Sequence, residues 1–412
     1  MCSFKHCRYF LLSIYLITTF YVHGQPYDLL LKGGHLIDPK NEIDQLMDVA
    51  ITEGKIAATG DNIAISQAKK VIDVSGLYVV PGLIDPHTHV FVGSAPRTFA
   101  NGFSSVSPDD FSFKSGITTM VDAGTSGWRN FETFKSQVID QSTTRVLAFL
   151  NIAGVGMVGP PSEQNIQDMD PYLTDLMIKK YPDIIVGVKI GHYTGDEFTP
   201  VQRALDAGSA QDVPVLVECH LPEIPLEVLL ERLRPGDILT HAYGRVNDRA
   251  SILDDQDHLK DAVVAARKKG VLFDVGHGGG SFHYSEAVPA TKQGFWPDSF
   301  GSDLHRFSMN SGMKDMLNIM SKFLNLGMPL YDVIAAATNK PAAMIKRPDL
   351  GNLGIGSEAD IAVLKVLDGK FGFTDSGKET AQGSQKLQAE LTIRAGKIVW
   401  DLNGLSTQNF AN

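Results

Sequence analysis

The chain has 412 residues, 43% of them hydrophobic and 20% charged, and a formal net charge of −10. Such a composition supports one large globular core with room for a smaller domain beside it. An acidic balance without any Lys/Arg block argues against nucleic-acid binding and against docking on anionic membranes.

The first 24 residues differ from the rest. Lys5, His6 and Arg8 make a basic start, Tyr9 to Val22 (YFLLSIYLITTFYV) is apolar, and Val22-His23-Gly24 offers a small residue for cleavage. The expectation is a signal peptide over 1–24, a mature start near Gln25 and export to a periplasmic or secreted location. An uncleaved anchor is the plainer alternative, but the run is short for a full membrane span. Cys2 and Cys7 fall in this segment, so Cys219 would be alone in the mature chain and no internal disulfide can form.

Residues 25–80 read as short strands separated by turns, as in YDLLLKGGHLID and MDVAITEGKIAATG. Residues 346–412 have the same character in ADIAVLKV and LTIRAGKIVWD. Two β-rich ends around a long middle suggest a small β-sandwich domain built from both termini. The middle, 81–345, alternates apolar runs with helix-like segments. Eight runs can be counted: VVPGLID, GITTMVDAG, RVLAFLNIAG, DIIVGVKIG, VPVLVECH, DILTHAYG, GVLFDVGHGG and DSFGSDLH. Between two of them, DHLKDAVVAARKKG ends in a basic turn with Gly270 as a C-cap. The predicted fold class is α/β, a (β/α)₈ TIM-like barrel with the small β domain attached. An open doubly wound sheet is the alternative, but it gives no reason for polar residues at nearly every strand end.

Those ends are specific in kind. The first run closes on His87 and His89, the fourth carries Lys189, the fifth ends in His220, the sixth in His241 and the eighth in Asp303. In a barrel they converge on one mouth, and imidazole with carboxylate suits Zn²⁺ or a similar divalent ion. His87 and His89 are two residues apart, so in extended chain both imidazoles point the same way. Lys189 shares parity with Gly187 and Ile185, a face expected to point into the barrel. A desolvated lysine shifts toward its neutral amine, which can add CO₂ to form a carbamate able to bridge two cations. A lysine that snorkels outward or pairs with an acid is the plainer reading.

PGLIDPHTH, the fourth-run lysine, VECH, THAYG and SDLH together resemble the amidohydrolase superfamily of binuclear metallohydrolases, in particular its deacetylase branch with dihydroorotase-like relatives. The resemblance covers nearly all of the chain after residue 24. It implies that His87, His89 and Asp303 hold one divalent ion, that His220 and His241 hold a second, and that carboxylated Lys189 bridges them. Two cations about 3.5–4 Å apart lower the pKa of a shared water toward neutrality. Asp303 would take that proton and pass it to the leaving nitrogen or oxygen. The implied activity is metal-dependent hydrolysis of a small-molecule amide or ester, in particular deacetylation of an N-acyl amino acid or related acetyl ester. Cyclic-amide hydrolysis, as by dihydroorotases and hydantoinases, is the rival enzyme. A metal-free scaffold is the rival from another class. Tyr193, Tyr243, Arg245 and His277 lie just past run ends and are candidate substrate contacts, with Arg245 suited to a carboxylate. Arg245 reads equally as a solvated loop charge and His277 as a structural histidine. His305 is a candidate to orient Asp303. His35, His192, His258 and His283 receive no role.

Overall fold

The computed structural model describes residues 25–92, 105–159, 161–218, 224–245 and 250–408. The expected signal peptide, Cys219 and the expected ligand His220 lie outside the described residues.

Alternating and continuous apolar runs build one mixed sheet from both ends of the chain. Its first strands are β1 (Tyr27–Asp38), β2 (Ile43–Thr52), β3 (Lys55–Gly60), β4 (Ala68–Asp73) and β5 (Tyr78–Pro81). A second, wholly parallel sheet follows: β6 (Leu83–Thr88), β7 (Ile117–Gly127), β8 (Arg145–Asn151), β9 (Ile185–Ile190), β10 (Val215–Glu218), β11 (Ile238–Thr240) and β12 (Leu272–Phe273). Then β13 (Ile361–Thr374), β14 (Thr380–Arg394) and β15 (Lys397–Asp401) return to the first sheet, whose order is β15-β14-β13-β5-β1-β2-β3 with β4 beside β1. The junction is β5 against β13, antiparallel, with Val79 opposite Val363 and Val80 opposite Ala362.

From β7 onward each parallel strand is followed by a helix: α1 (Phe131–Gln137), α2 (Pro171–Lys180), α3 (Thr199–Ala210), α4 (Leu226–Arg232), α5 (Asp261–Lys269) and α6 (Tyr284–Lys292). Local chemistry sets their ends. Asp170 caps α2 by accepting the Tyr172 and Leu173 amides, with Pro171 at the first position. Gly270 ends α5 at φ 104°, after the basic turn Arg267-Lys268-Lys269. Beyond α6 lies α7 (Met316–Asn325), whose cap is Asp315. No helix of the described residues is long and apolar enough to cross a membrane.

The parallel strands are buried on both faces, which is why they read as unbroken apolar runs. On β8, Val146, Ala148 and Leu150 join the large helix-side cluster, while Leu147 and Phe149 join an inner cluster with Ile84, Val121, Val186 and Leu216. The sheet curls. The segment expected as an eighth strand meets both edges through single parallel bridges, Ser299 with Asp274 and Leu304 with Thr88. The parity expected for Lys189 is corrected in detail. Ile185 packs on the helix side and Val186 inside, because the β8–β9 pairing shifts between Ala148 and Phe149. The shift resets the alternation before Lys189.

Candidate metal centre and pocket

The end of β6 is stitched to the segment carrying Asp303. The Asp303 amide donates to His87 O at 2.7 Å, and the His89 amide to Leu304 O at 2.9 Å. Buried Asp85 accepts the Ser302 amide at 3.0 Å and the Ser302 hydroxyl, and burial pushes its carboxyl up to about 7. These contacts place Asp303 Oδ1 3.0 Å from His89 Nε2 and 3.6 Å from His87 Nε2.

Each described histidine of the group uses Nδ1 outward and presents Nε2 inward. His87 Nδ1 lies 2.9 Å from Thr240 Oγ1, whose hydroxyl donates to Asp274 at 2.8 Å. His89 Nδ1 lies 3.0 Å from Thr125 Oγ1, and Asp122 fixes that turn by accepting the Val90 and Thr125 amides. His241 Nδ1 donates to Gly276 O at 2.6 Å. Such outward partners orient histidines that ligate metals. One ligand atom each of His87, His241 and Asp303 lies within 4.8 Å of the others. His87 Nε2 is buried with no hydrogen-bond partner. Burial, then the charge of Lys189, lowers the His87 pKa to about 4, so its lone pair is free at neutral pH. Burial alone would raise the Asp303 carboxyl, but the His89 hydrogen bond and the imidazoles around it hold it far below the usual carboxylate range. An orphaned nitrogen beside a carboxylate that stays ionised fits a divalent cation.

Lys189 is fully buried. Gly124, at φ 84°, makes room for it: a Cβ there would lie 2.5 Å from Lys189 Cγ. Its Nζ is 3.0 Å from Glu218 Oε1, an ion-pair distance, though the angle makes no hydrogen bond. Glu218, at the end of β10, also lies 3.7 Å from His241 Nε2, and was missed in the sequence. It sits two residues before His220, on the same parity, so the i, i+2 rule used for His87 and His89 points to it as well.

The group opens into a cavity of about 660 Å³ walled by His89, Glu163, His192, Glu218, His241 and Asp303, with Gly279 and Gly280 at the rim. Gly278 approaches so closely that a Cβ would meet Asp303 Oδ2 at 2.2 Å. Three non-glycine residues of the cavity have left-handed backbone: His192 at φ 58°, His241 at 60° and Asp303 at 52°. Each costs on the order of 1–3 kcal/mol, which surrounding contacts must hold.

The expected substrate contacts are placed elsewhere. Tyr243 is fully buried, its hydroxyl donating to Phe295 O at 2.9 Å, and Tyr193 is 7% exposed in the helix-side core. Arg245 turns to Asp257 at 3.2 Å and Ser285 O at 3.1 Å. His277 is fully buried, stacked on Phe282, with Nε2 2.6 Å from Lys322 Nζ. None of the four walls the cavity. His305 does wall it, but its Nδ1 accepts the Phe307 amide, and Ser308 is what bonds the Asp303 carbonyl.

Two residues without a role in the sequence face the cavity instead. His192 Nδ1 lies 3.1 Å from Glu163 Oε2, and its Nε2 lies 3.7 Å from Glu218 Oε2. Glu218, then Glu163, pushes the imidazole up to about 9 against the effect of burial. Glu163 arrives from a loop whose sequence gives no periodic signal.

Comparison with known proteins gives the lineage. The model of the Amidohydrolase family matches residues 283–399. A deacetylase of Agrobacterium fabrum is 32% identical over 377 residues, covering 86% of this chain and 90% of that one. The chain belongs to the amidohydrolase family. Among solved structures, one described as an adenine deaminase is similar to this amidohydrolase with a TM-score of 0.82 at 30% identity, covering 91% of this chain and all of that one. One described as a dihydroorotase has a TM-score of 0.80 at 28% identity, covering 90% and 99%. Divalent metal binding is typical of amidohydrolases, and the His87, His241 and Asp303 cluster is a possible site for it.

Proposed function

We propose that this amidohydrolase is a binuclear metal-dependent hydrolase that removes an acyl group, in particular acetyl, from a small N-acyl amino acid or related ester. The observation that carries the reading is the convergence of three inward Nε2 atoms on one ionised carboxylate. The deacetylase relative, alike over 86% of this chain, supports the acyl transfer. We read the curled sheet as a (β/α)₈ barrel over 81–345, and the mixed sheet as a separate small domain of 25–80 and 346–412. The metal ions, Zn²⁺ in this reading, would be held by His87, His89, His220, His241, Asp303 and a carbamate on Lys189. When bound, they activate water and polarise the substrate carbonyl.

The chain's own residues supply the rest. Asp303, ionised across the working range, accepts the proton of the attacking water and returns it to the leaving nitrogen or oxygen. Thr240, whose hydroxyl is spent on Asp274, and Gly276 O accept from Nδ1 of His87 and His241 and so fix their tautomer, and Thr125 orients His89.

The test is a panel of N-acetyl amino acids, acetyl esters and cyclic amides, given to protein of measured metal content. About two zinc ions per chain with turnover of the acyclic acetyl compounds is expected. Turnover confined to cyclic amides would move the substrate to the dihydroorotase-like class, and a metal-free protein with no turnover would make it a scaffold. Export after cleavage near Gln25 belongs to the same reading. N-terminal sequencing from the native host checks it, and an intact Met1 on cytosolic protein refutes it.

A further inference from the structure

The cavity described above has two chemically different walls. One carries the imidazoles and Asp303. The other carries His192, which is 45% exposed at its side chain although the residues on either side, Gly191 and Tyr193, are buried. The chain does unusual work to present this ring. His192 stands at φ 58°, the region that disfavours a side chain with a Cβ. Gln164 locks that turn from a neighbouring loop, donating through Nε2 to His192 O at 2.6 Å and accepting the Thr194 amide at 3.0 Å. Glu163, next in sequence to that glutamine and 3% exposed, holds the ring at Nδ1. A loop strained and clamped at one residue, with a buried carboxylate behind the ring, is a positioned group and not a solvated surface histidine.

Its chemistry is set by what surrounds it. No arginine or lysine is among the described residues that wall the cavity. Arg245, the sequence's candidate for a substrate carboxylate, is turned away onto Asp257 and Ser285 O. With Glu163 at Nδ1 and Glu218 3.7 Å from Nε2, carboxylates flank both ring nitrogens and favour the cationic form, while the ring itself walls the cavity. A cationic donor there suits an anionic acceptor oxygen, and a carboxylate supplies one.

We propose that His192, positioned by Glu163, is the residue that reads the carboxylate of the substrate, so that the preferred compounds carry a free carboxylate on the leaving-group side. The proposal rests on the acyl-hydrolase reading for which bond is cut, and not for which group His192 binds. Glu163 is a positioning residue that acts through the ring, and Glu218 disfavours a second anion beside the first.

The test uses binding, so that it holds whether or not the compound is turned over. The zinc-loaded Asp303→Asn protein, with and without His192→Gln, is titrated calorimetrically with an N-acetyl amino acid and with its carboxamide. His192→Gln should weaken the acid by about 10–100-fold, the range of a lost charge-assisted hydrogen bond, and the carboxamide by less than about 3-fold. Glu163→Gln should weaken the acid by about 3–10-fold, because the ring is present but less firmly held and less cationic. Equal affinities for acid and carboxamide before the His192 change, or equal weakening of both after it, overturn the proposal. Binding of the acid that depends on His192, together with no hydrolysis of it by wild-type protein, would refute the deacetylase reading and leave this one standing. Hydrolysis with affinities indifferent to His192 would do the reverse.

Discussion

At the scale of single residues, Lys189 and Asp303 do different jobs and fail in different ways. A buried ammonium beside two cations would repel both, whereas a carbamate would place two oxygens between them. Lys189→Ala is therefore expected to lose at least one metal and nearly all turnover. It also leaves room for acetate or propionate to supply the missing oxygens. Partial rescue, saturable in the acid and dependent on added metal, is the expected result. Lys189→Arg should not be rescued, because its guanidinium fills the space and stays charged. Full metal content with normal turnover in Lys189→Ala would leave Lys189 with its plainer role, the ion pair to Glu218 at 3.0 Å. Asp303→Asn keeps an oxygen toward His89 but cannot carry a proton at neutral pH. Turnover should fall by about 10²–10⁴-fold with most of the metal retained, measured by steady-state kinetics beside metal analysis. Near wild-type turnover would remove Asp303 from the proton path.

At the scale of elements, the glycine-rich loop after β12 is held from behind by α7. Lys322, 1% exposed, reaches from α7 to His277 Nε2 at 2.6 Å and to Gly312 O at 2.8 Å, and burial lowers its pKa to about 7. Between about 7 and its ordinary value of 10.5 the unfolded chain binds this proton and the folded chain does not. Stability should therefore rise with pH across that window, and the cost is fully present below about 7. Urea midpoints of metal-stripped protein from pH 7 to 9.5 should climb, and Lys322→Met should flatten the climb. An unchanged slope in Lys322→Met would refute the assignment. Nothing in the sequence announced this pairing, because α7 and the loop lie 45 residues apart and meet only through tertiary packing. The sequence was legible where a local rule operates. Apolar runs marked the parallel strands, the basic turn and Gly270 marked the end of α5, and the polar run ends pointed to His87, His241 and Asp303, which the structure brings together, with His89 3.0 Å from Asp303. It was illegible where neighbours decide. Tyr243 and His277 follow strand ends as substrate residues would, yet their rings turn into the core. The eighth run reads as a strand, but the Gly301 and Ser302 amides donate to the carboxylates of Asp274 and Asp85 while their carbonyls accept the His277 and Gly278 amides, leaving only single bridges on either side.

At the scale of the whole molecule, β5 belongs to the mixed sheet alone but puts one side chain into each of two cores. Val79 of β5 packs in the core under the mixed sheet, while its neighbour Val80 packs in the helix-side core of the parallel sheet. The Gly82 amide, immediately before β6, donates to Asp360 O at 2.7 Å. Arg145 of β8 reaches Asp360 and Glu358 at 2.7 Å each, with its side chain only 13% exposed, and Arg394 of β14 binds the same two acids. Neither sheet can open at this seam without exposing apolar surface and unpaired charge of the other, so metal-stripped protein should unfold in one transition. The tryptophans allow a direct measurement, since Trp400 lies in β15 and Trp128 and Trp296 lie around the parallel sheet. A variant keeping only Trp400 and one keeping only Trp296 should show the same urea midpoint. Arg145→Met should lower both midpoints together, a stability loss of about 1–3 kcal/mol and less than the usual loss for breaking a buried ion pair, because Arg394 still neutralises both acids. Midpoints that separate in the parent, or an Arg145→Met change felt by Trp296 and not by Trp400, would show that the two sheets are held together only by the chain that links them.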